Sequence, residues 1–281
     1  MIFKNLSEYL NFGEIITQDS VASKIYNNEN FYFTKRDFLF RYGSWRNKEF
    51  EPLIFKLIKK HQNRKVLLSH SDISTKTYQS IILKLFGIIK IYGSNVYPVK
   101  NLSEPIPIGL TNDCDDSKLH RLFGDLNLLA RAESTEFINN FNFSIYCNFT
   151  VTNNKKERLS ILKNLSSLSS FKYSTPEFTP NARLKFLENL RLNNFVVCPS
   201  GNGIDTHRIW ETLYMGGIPI IRSNKVLNFL VADLPVLIVK NWSELKNEKL
   251  MEEKWHQIVM DSTHNFEKLK LSHWTNKILA E

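Results

Sequence analysis

Short apolar runs alternate with helical stripes through the second half of this chain. Phe143 to Phe149 reads as a strand, and Lys155 to Leu168 as an amphipathic helix with Leu159, Ile161, Leu162 and Leu165 on or near its apolar face. Ser170 to Tyr173 is a short strand, and Asn181 to Asn193 a helix carrying Leu184, Leu187, Leu190 and Leu192. Phe195 to Cys198 reads as a strand, Thr206 to Met215 as a helix and Ile218 to Ile221 as a strand. A helical turn at Leu227 to Ala232, a strand at Val236 to Val239 and a mostly helical stretch over residues 243–270 complete the series. Alternation of this kind predicts a doubly wound parallel sheet.

The first half repeats the pattern more weakly. After an irregular lead-in over residues 1–25, Asn30 to Phe40 is a strand candidate and Phe50 to His61 a helix candidate. Val66-Leu67-Leu68-Ser69-His70 is an apolar run leading into polar Ser71-Asp72, as expected of a parallel strand whose carboxyl end meets a functional loop. Thr75 to Phe86 has helical spacing, with Ile81, Ile82, Leu85 and Phe86 on one side. Ile88 to Tyr92 is a strand, Pro105 to Leu110 an extended run set by its prolines, and residues 111–140 polar and partly helical. The expected fold is α/β, with two Rossmann-like domains over residues 1–135 and 136–281.

Composition narrows the function classes. In 281 residues, 42% are apolar and 12% aromatic, enough for a sizeable core. The net charge of +9 favours a polyanionic or phosphate-bearing partner. Its lysines and arginines are scattered, however, with no basic stripe interleaved with aromatics, so nucleic acid is not an expected partner. The balance is compatible with peripheral association with an anionic membrane. Three widely spaced cysteines, Cys114, Cys147 and Cys198, form neither a disulfide framework nor a zinc site. With no apolar leader or spanning segment in view, the expected location is cytoplasmic.

One segment, Phe195 to Ile221, carries candidate chemistry. A buried strand ends at Cys198, and the loop that follows holds Gly201 and Gly203, which let backbone turn and approach a ligand. Asp205 or Thr206 can cap the next helix, whose start offers backbone N–H groups and a positive dipole end suited to phosphate. Arg208 in the first turn adds a bidentate fork, and His207 a further donor. Glu211 falls on the same face, placed to accept ribose hydroxyls. Ser200, Asn202 and Gly203 would line the phosphate loop, with Arg222 and Lys225 as further phosphate candidates. Trp210 is offset from that face and is expected to pack in the core.

Cys198-Pro199-Ser200-Gly201, Asp205 to Glu211 and Gly216-Gly217-Ile218-Pro219-Ile220-Ile221 together resemble the donor-site signature of exostosin-like glycosyltransferases. The resemblance is concentrated in residues 190–245; His70-Ser71-Asp72 and Ile106 to Leu110 are similar to segments of bacterial and viral relatives. It implies a GT-B fold, with two Rossmann-like domains facing a cleft, the nucleotide-sugar donor held by the C-terminal one and a glycan or other hydroxyl acceptor by the N-terminal one. It also implies transfer without a metal or other cofactor. For an inverting reaction the base is expected from the opposite domain, where Asp72 and His70 are the candidates, while Arg208 stabilises the leaving diphosphate. Two other readings fit the same frame: a transferase for a nucleotide-activated polyol phosphate, and a non-catalytic nucleotide- or glycan-binding module.

Overall fold

The computed structural model describes residues 12–25, 31–34, 64–68, 72–111, 118–134 and 143–281. Two parallel sheets organise them. The first holds β1 (Phe31–Thr34), β2 (Arg64–Leu68), β3 (Ile88–Gly93) and β4 (Ser103–Pro105), in that spatial order. Helix α1 (Ser20–Ile25) precedes it and α2 (Thr77–Leu85) crosses from β2 to β3. The Phe50 to His61 helix candidate, Cys114 and His70 lie outside the described residues.

Helices α3 (Lys118–Gly124) and α4 (Leu126–Glu133) lead to the second unit. Asp125 caps α4 by accepting the N–H groups of Asn127 and Leu128. In chain order there follow β5 (Ile145–Asn148), α5 (Lys155–Leu165), β6 (Phe171–Ser174), α6 (Pro180–Leu192), β7 (Phe195–Val197), α7 (His207–Tyr214), β8 (Ile218–Arg222), α8 (Lys225–Leu230) and β9 (Leu237–Val239). Helices α9 (Glu248–Met260) and α10 (Leu271–Ala280) end the chain. The strands stand in the order β6-β5-β7-β8-β9, all parallel. The order therefore reverses between β5 and β7. Doubly wound sheets bind ligands beyond the carboxyl ends of the strands at such a reversal.

Strand alternation gives this sheet two buried faces, as a parallel sheet requires. Ile145, Cys147, Phe195, Val197 and Ile220 point one way, into a core with Ile161 and Leu165 of α5 and Met251 of α9. Tyr146, Val196, Cys198 and Ile221 point the other way, against Leu187 and Leu190 of α6 and Ile209, Trp210 and Leu213 of α7. That second core also takes in Leu67, Tyr92, Ile108 and Leu110, so one apolar cluster joins both sheets. Trp210 is fully buried in it, as its offset position predicts. At the far end, α10 returns to the first sheet: Lys277 pairs with Glu104, and Tyr92 donates to the terminal Glu281 at 2.7 Å.

Two helix faces differ from the sequence reading. On α2 the buried residues are Gln79, Ser80 and Leu83, while Ile81 and Leu85 are exposed. On α5, Leu159 is exposed and the inward positions include Glu157 and Arg158. Glu157 turns in because it accepts from Trp242 Nε1 at 3.0 Å, and Arg158 because it donates to the Thr150 carbonyl at 2.7 Å. Charged residues with buried partners outrank leucine for those positions. Among the described residues no helix is long and apolar enough to cross a membrane.

Candidate functional site

A cavity of about 700 Å³ opens at the β5/β7 reversal, within the size range of small-molecule sites. The carboxyl end of β5 supplies Asn148, Phe149 and Thr150 to its wall; the loop after β7 supplies Pro199, Gly201 and Gly203. The start of α7 supplies Thr206, His207 and Arg208. From the first sheet's side come Asp72 and Ile108.

The start of α7 is built as a junction rather than a simply capped end. Thr206 is the N-cap by backbone geometry, yet its side chain makes no capping bond and its Oγ1 is buried without a partner. Asp205 does not cap through its side chain either. Its Oδ2 accepts the Ile108 N–H at 2.8 Å and its Oδ1 the Trp210 Nε1–H at 2.9 Å. Burial pushes its carboxyl up to about 7, against the opposing pull of donors from Ile108, Trp210 and Thr206. Asn95 completes the junction, its Oδ1 accepting the N–H groups of Ile204 at 3.0 Å and Asp205 at 2.8 Å.

Two glycines owe their place to this junction. At Gly109, φ is +64° and an added Cβ would lie 2.1 Å from the Ile16 carbonyl oxygen, so no side chain fits. The Gly109 carbonyl accepts from His207 Nδ1 at 2.8 Å. At Gly203 an added Cβ would lie 2.8 Å from Asn95 Nδ2 and 3.3 Å from the Asp72 backbone. The glycine loop is therefore tight against the first sheet's loops.

The predicted site residues separate into three groups. Asp72, Gly201, Asn202, Gly203, His207, Arg208 and Glu211 all line the cavity. Asn202 Nδ2 reaches Asp72 Oδ2 at 3.4 Å, bringing the two halves of the prediction together at the rim. Ser200 does not line it; its carbonyl accepts from Arg158 Nη2 at 3.3 Å. Arg222 is also outside the cavity, half-exposed and paired through Nε with Glu157 Oε1 at 3.2 Å, and Lys225 is exposed elsewhere. His70 lies outside the described residues.

His207 spends its Nδ1 proton on Gly109, and burial lowers its pKa, so the ring is neutral and serves the junction. Arg208 sits over the Phe186 ring, 5.4 Å from its centroid, with its Nε buried and unpartnered. Glu211 is buried and accepts from Arg183 Nη2 at 2.7 Å. Burial alone would raise its pKa, but the charges of Arg183 and Arg208 hold it below the ordinary carboxylate value.

Two arginines that the sequence reading passed over are part of this wall. Arg158 and Arg183 are 7% and 4% exposed and line the cavity. Arg183 lies 5.2 Å from the centroid of the Phe186 ring on the same helix, and also donates to the Phe123 carbonyl at 3.1 Å. A signal was present. Arg158 stands in register with Ile161 and Leu165, and Arg183 with Leu187 and Leu190, so each places a charge inside an apolar stripe.

A family model described as the RXYLT1 C-terminal domain matches residues 127–279, more than half of the chain. No curated protein matches it. The matched span holds the five-stranded sheet, the cavity's arginines and the whole of α7. A sequence signature at the α7 junction and a family match over the sheet that carries it lead to the same place: the chain belongs to the RXYLT1 C-terminal domain family, a glycosyltransferase-type family of the exostosin-like group.

Proposed function

We propose that the protein transfers a sugar from a nucleoside-diphosphate sugar to a glycan or other hydroxyl acceptor. The observation that carries this reading is Arg208: a guanidinium in the first turn of α7, with an unpartnered buried Nε, lining a nucleotide-sized cavity at the sheet's topological reversal. A diphosphate there would meet a charged fork and the positive end of the helix. Glu211 lines the same wall and is assigned the ribose hydroxyls.

In this reading the two sheets are the two Rossmann-like domains of a GT-B arrangement, residues 1–135 on the acceptor side and 136–281 on the donor side. The shared core and the Asp205–Ile108 junction support a cleft with walls from both. The bond between the anomeric carbon and the diphosphate oxygen breaks, and its electron pair leaves with the diphosphate. Arg208 stabilises that developing charge. The acceptor hydroxyl bonds to the anomeric carbon, and in an inverting reaction its proton passes to Asp72, the carboxylate at the cavity rim. Positive charge for the leaving group comes from guanidinium, so the proposal needs no resident metal.

The test is a thermal-shift screen of the full chain against nucleoside diphosphates and their sugars, followed by a turnover assay on any stabilising donor. The expected result is stabilisation by one diphosphate and its sugar, with diphosphate released in the presence of acceptor. Stabilisation by a nucleotide-alditol alone, or by no nucleotide, would remove the proposal.

A further inference from the structure

Helix α2 carries its polarity the wrong way round for a helix that serves only the sheet beneath it. Its buried residues are Gln79, Ser80 and Leu83, while Tyr78, Ile81 and Leu85 are 56%, 46% and 79% exposed. Those three stand at i, i+3 and i+7, so they share the outer face. On the inner side Ser80 Oγ is buried with no hydrogen-bond partner, as is Thr75 Oγ1 just before the helix. Gln79 is held inward by the Lys76 N–H, which donates to its Oε1 at 2.7 Å. Burying an unsatisfied hydroxyl and leaving isoleucine and leucine in water are both unfavourable, and a turn of the helix about its axis would relieve the second. Five of the large apolar side chains exposed among the described residues fall between Ile73 and Ile89, a clustering that marks an interaction surface rather than scattered exceptions.

Charge indicates what meets this face. From Ile73 to Ser103 the sequence holds Lys76, Lys84, Lys90 and Lys100 and no aspartate or glutamate. Lys90 pairs with Glu104 and Glu281, whereas Lys76, Lys84 and Lys100 are exposed. The carboxylate next in sequence, Asp72, belongs to the cavity rim. Lys76 and Lys84 bracket the stripe along the chain, and a lysine stem can lie along apolar surface while its ammonium reaches outward. An apolar face flanked by lysines, with a tyrosine that is apolar in its ring and polar at its tip, matches the boundary between acyl chains and anionic headgroups. The net charge of +9 adds attraction towards such a surface. A second copy of this chain fits less well, because two such faces packed together bring lysine against lysine.

We propose that the outer face of α2 docks the protein on an anionic lipid surface, with Tyr78, Ile81 and Leu85 entering the headgroup region and Lys76 and Lys84 meeting the lipid phosphates. None of these five residues lines the cavity, so the proposal stands apart from the donor reading.

The test is co-sedimentation of the full chain with vesicles of phosphatidylcholine alone and of phosphatidylcholine mixed with phosphatidylglycerol, with a thermal melt of each variant alongside. The wild type should bind the mixed vesicles about tenfold or more tightly than the neutral ones. Ile81→Gln/Leu85→Gln, which keeps good helix formers at both places, should weaken that binding about tenfold or more and melt with the wild type. Lys76→Gln/Lys84→Gln should lose most of the preference for the mixed vesicles. Absence of wild-type binding to mixed vesicles, absence of a preference for them, or undiminished binding by Ile81→Gln/Leu85→Gln each overturns the proposal. A melting temperature that drops by several degrees in Ile81→Gln/Leu85→Gln, or a failure of that variant to fold, means that the chain itself already covers the face and overturns it too. A wild-type dimer that ignores vesicles and dissociates in that variant assigns the face to a second copy instead.

Discussion

Asp205→Asn perturbs the point where the two sheets meet at the start of α7. The carboxyl group accepts Ile108 N–H on one oxygen and Trp210 Nε1–H on the other. An amide can accept on one side only and presents its NH₂ to the second donor. One buried hydrogen bond is lost and a donor is left unpaired, which costs about 1–3 kcal/mol. The pH dependence gives a second number. The folded carboxyl titrates at about 7, against an ordinary value of 3.8. Between those values the folded state holds a proton that the unfolded state has released, so stability falls as pH rises towards 7 and levels off above it. Each pH unit is worth about 1.4 kcal/mol, so from about pH 5 to pH 8 the wild type should lose roughly 2–3 kcal/mol that Asn cannot lose. Urea unfolding read by tryptophan fluorescence measures both, because Trp210 is itself a partner. Wild type should lead at pH 5, and the variant should match or exceed it at pH 8. A difference that stays constant over this range would mean that the carboxylate is ionised throughout, with its three donors outweighing burial. No difference at either pH would refute the junction.

Other substitutions test the remaining contacts. Glu211→Ala should cost about 3–5 kcal/mol by stranding Arg183 as an uncompensated buried charge, whereas Glu211→Gln should cost less; denaturant titration separates them. Arg222→Ala should change stability by no more than about 1 kcal/mol and leave nucleotide affinity unchanged, because its half-exposed side chain pairs with Glu157 away from the cavity. A drop in affinity on calorimetry would return Arg222 to the site. Gly217→Ala should destabilise by about 1–3 kcal/mol or more, since its Cβ would fall 2.4 Å from the Leu190 carbonyl oxygen and force α6 and β8 apart. A wild-type melting temperature would count against that packing.

The alternating second half was legible because each strand is a short run buried on both faces and each helix has its own stripe. Strand and helix positions from Ile145 to Val239 fall within the predicted segments, give or take a residue or two at the ends. Strand order was not legible: nothing in Phe195 to Val197 says that it pairs with Ile145 rather than with Phe171. Local sequence presents the α7 junction as a capped helix start, because Asp205 and Thr206 have the right chemistry. Asp205 instead serves Ile108, 97 residues away, a partner that local pattern cannot reveal. Arg158 and Arg183 were missed for a related reason. A hydropathy stripe counts them as breaks in a face, although a charge inside a stripe marks a place where the interior has something to neutralise. A place just after a strand suggests phosphate contact for Arg222, whereas its side chain pairs with Glu157 and neither residue lines the cavity.

The central claim is that the wall around Arg208 holds the diphosphate of a nucleotide. Calorimetry of UDP and GDP against uridine and guanosine, with wild type and Arg208→Ala side by side, tests it most directly. The account predicts that one diphosphate binds at least tenfold more tightly than its nucleoside, and that Arg208→Ala erases most of that margin, since a charged hydrogen-bond pair is worth about 1.5–3 kcal/mol. Equal affinity for nucleoside and diphosphate, or a margin that survives loss of the guanidinium, would contradict it.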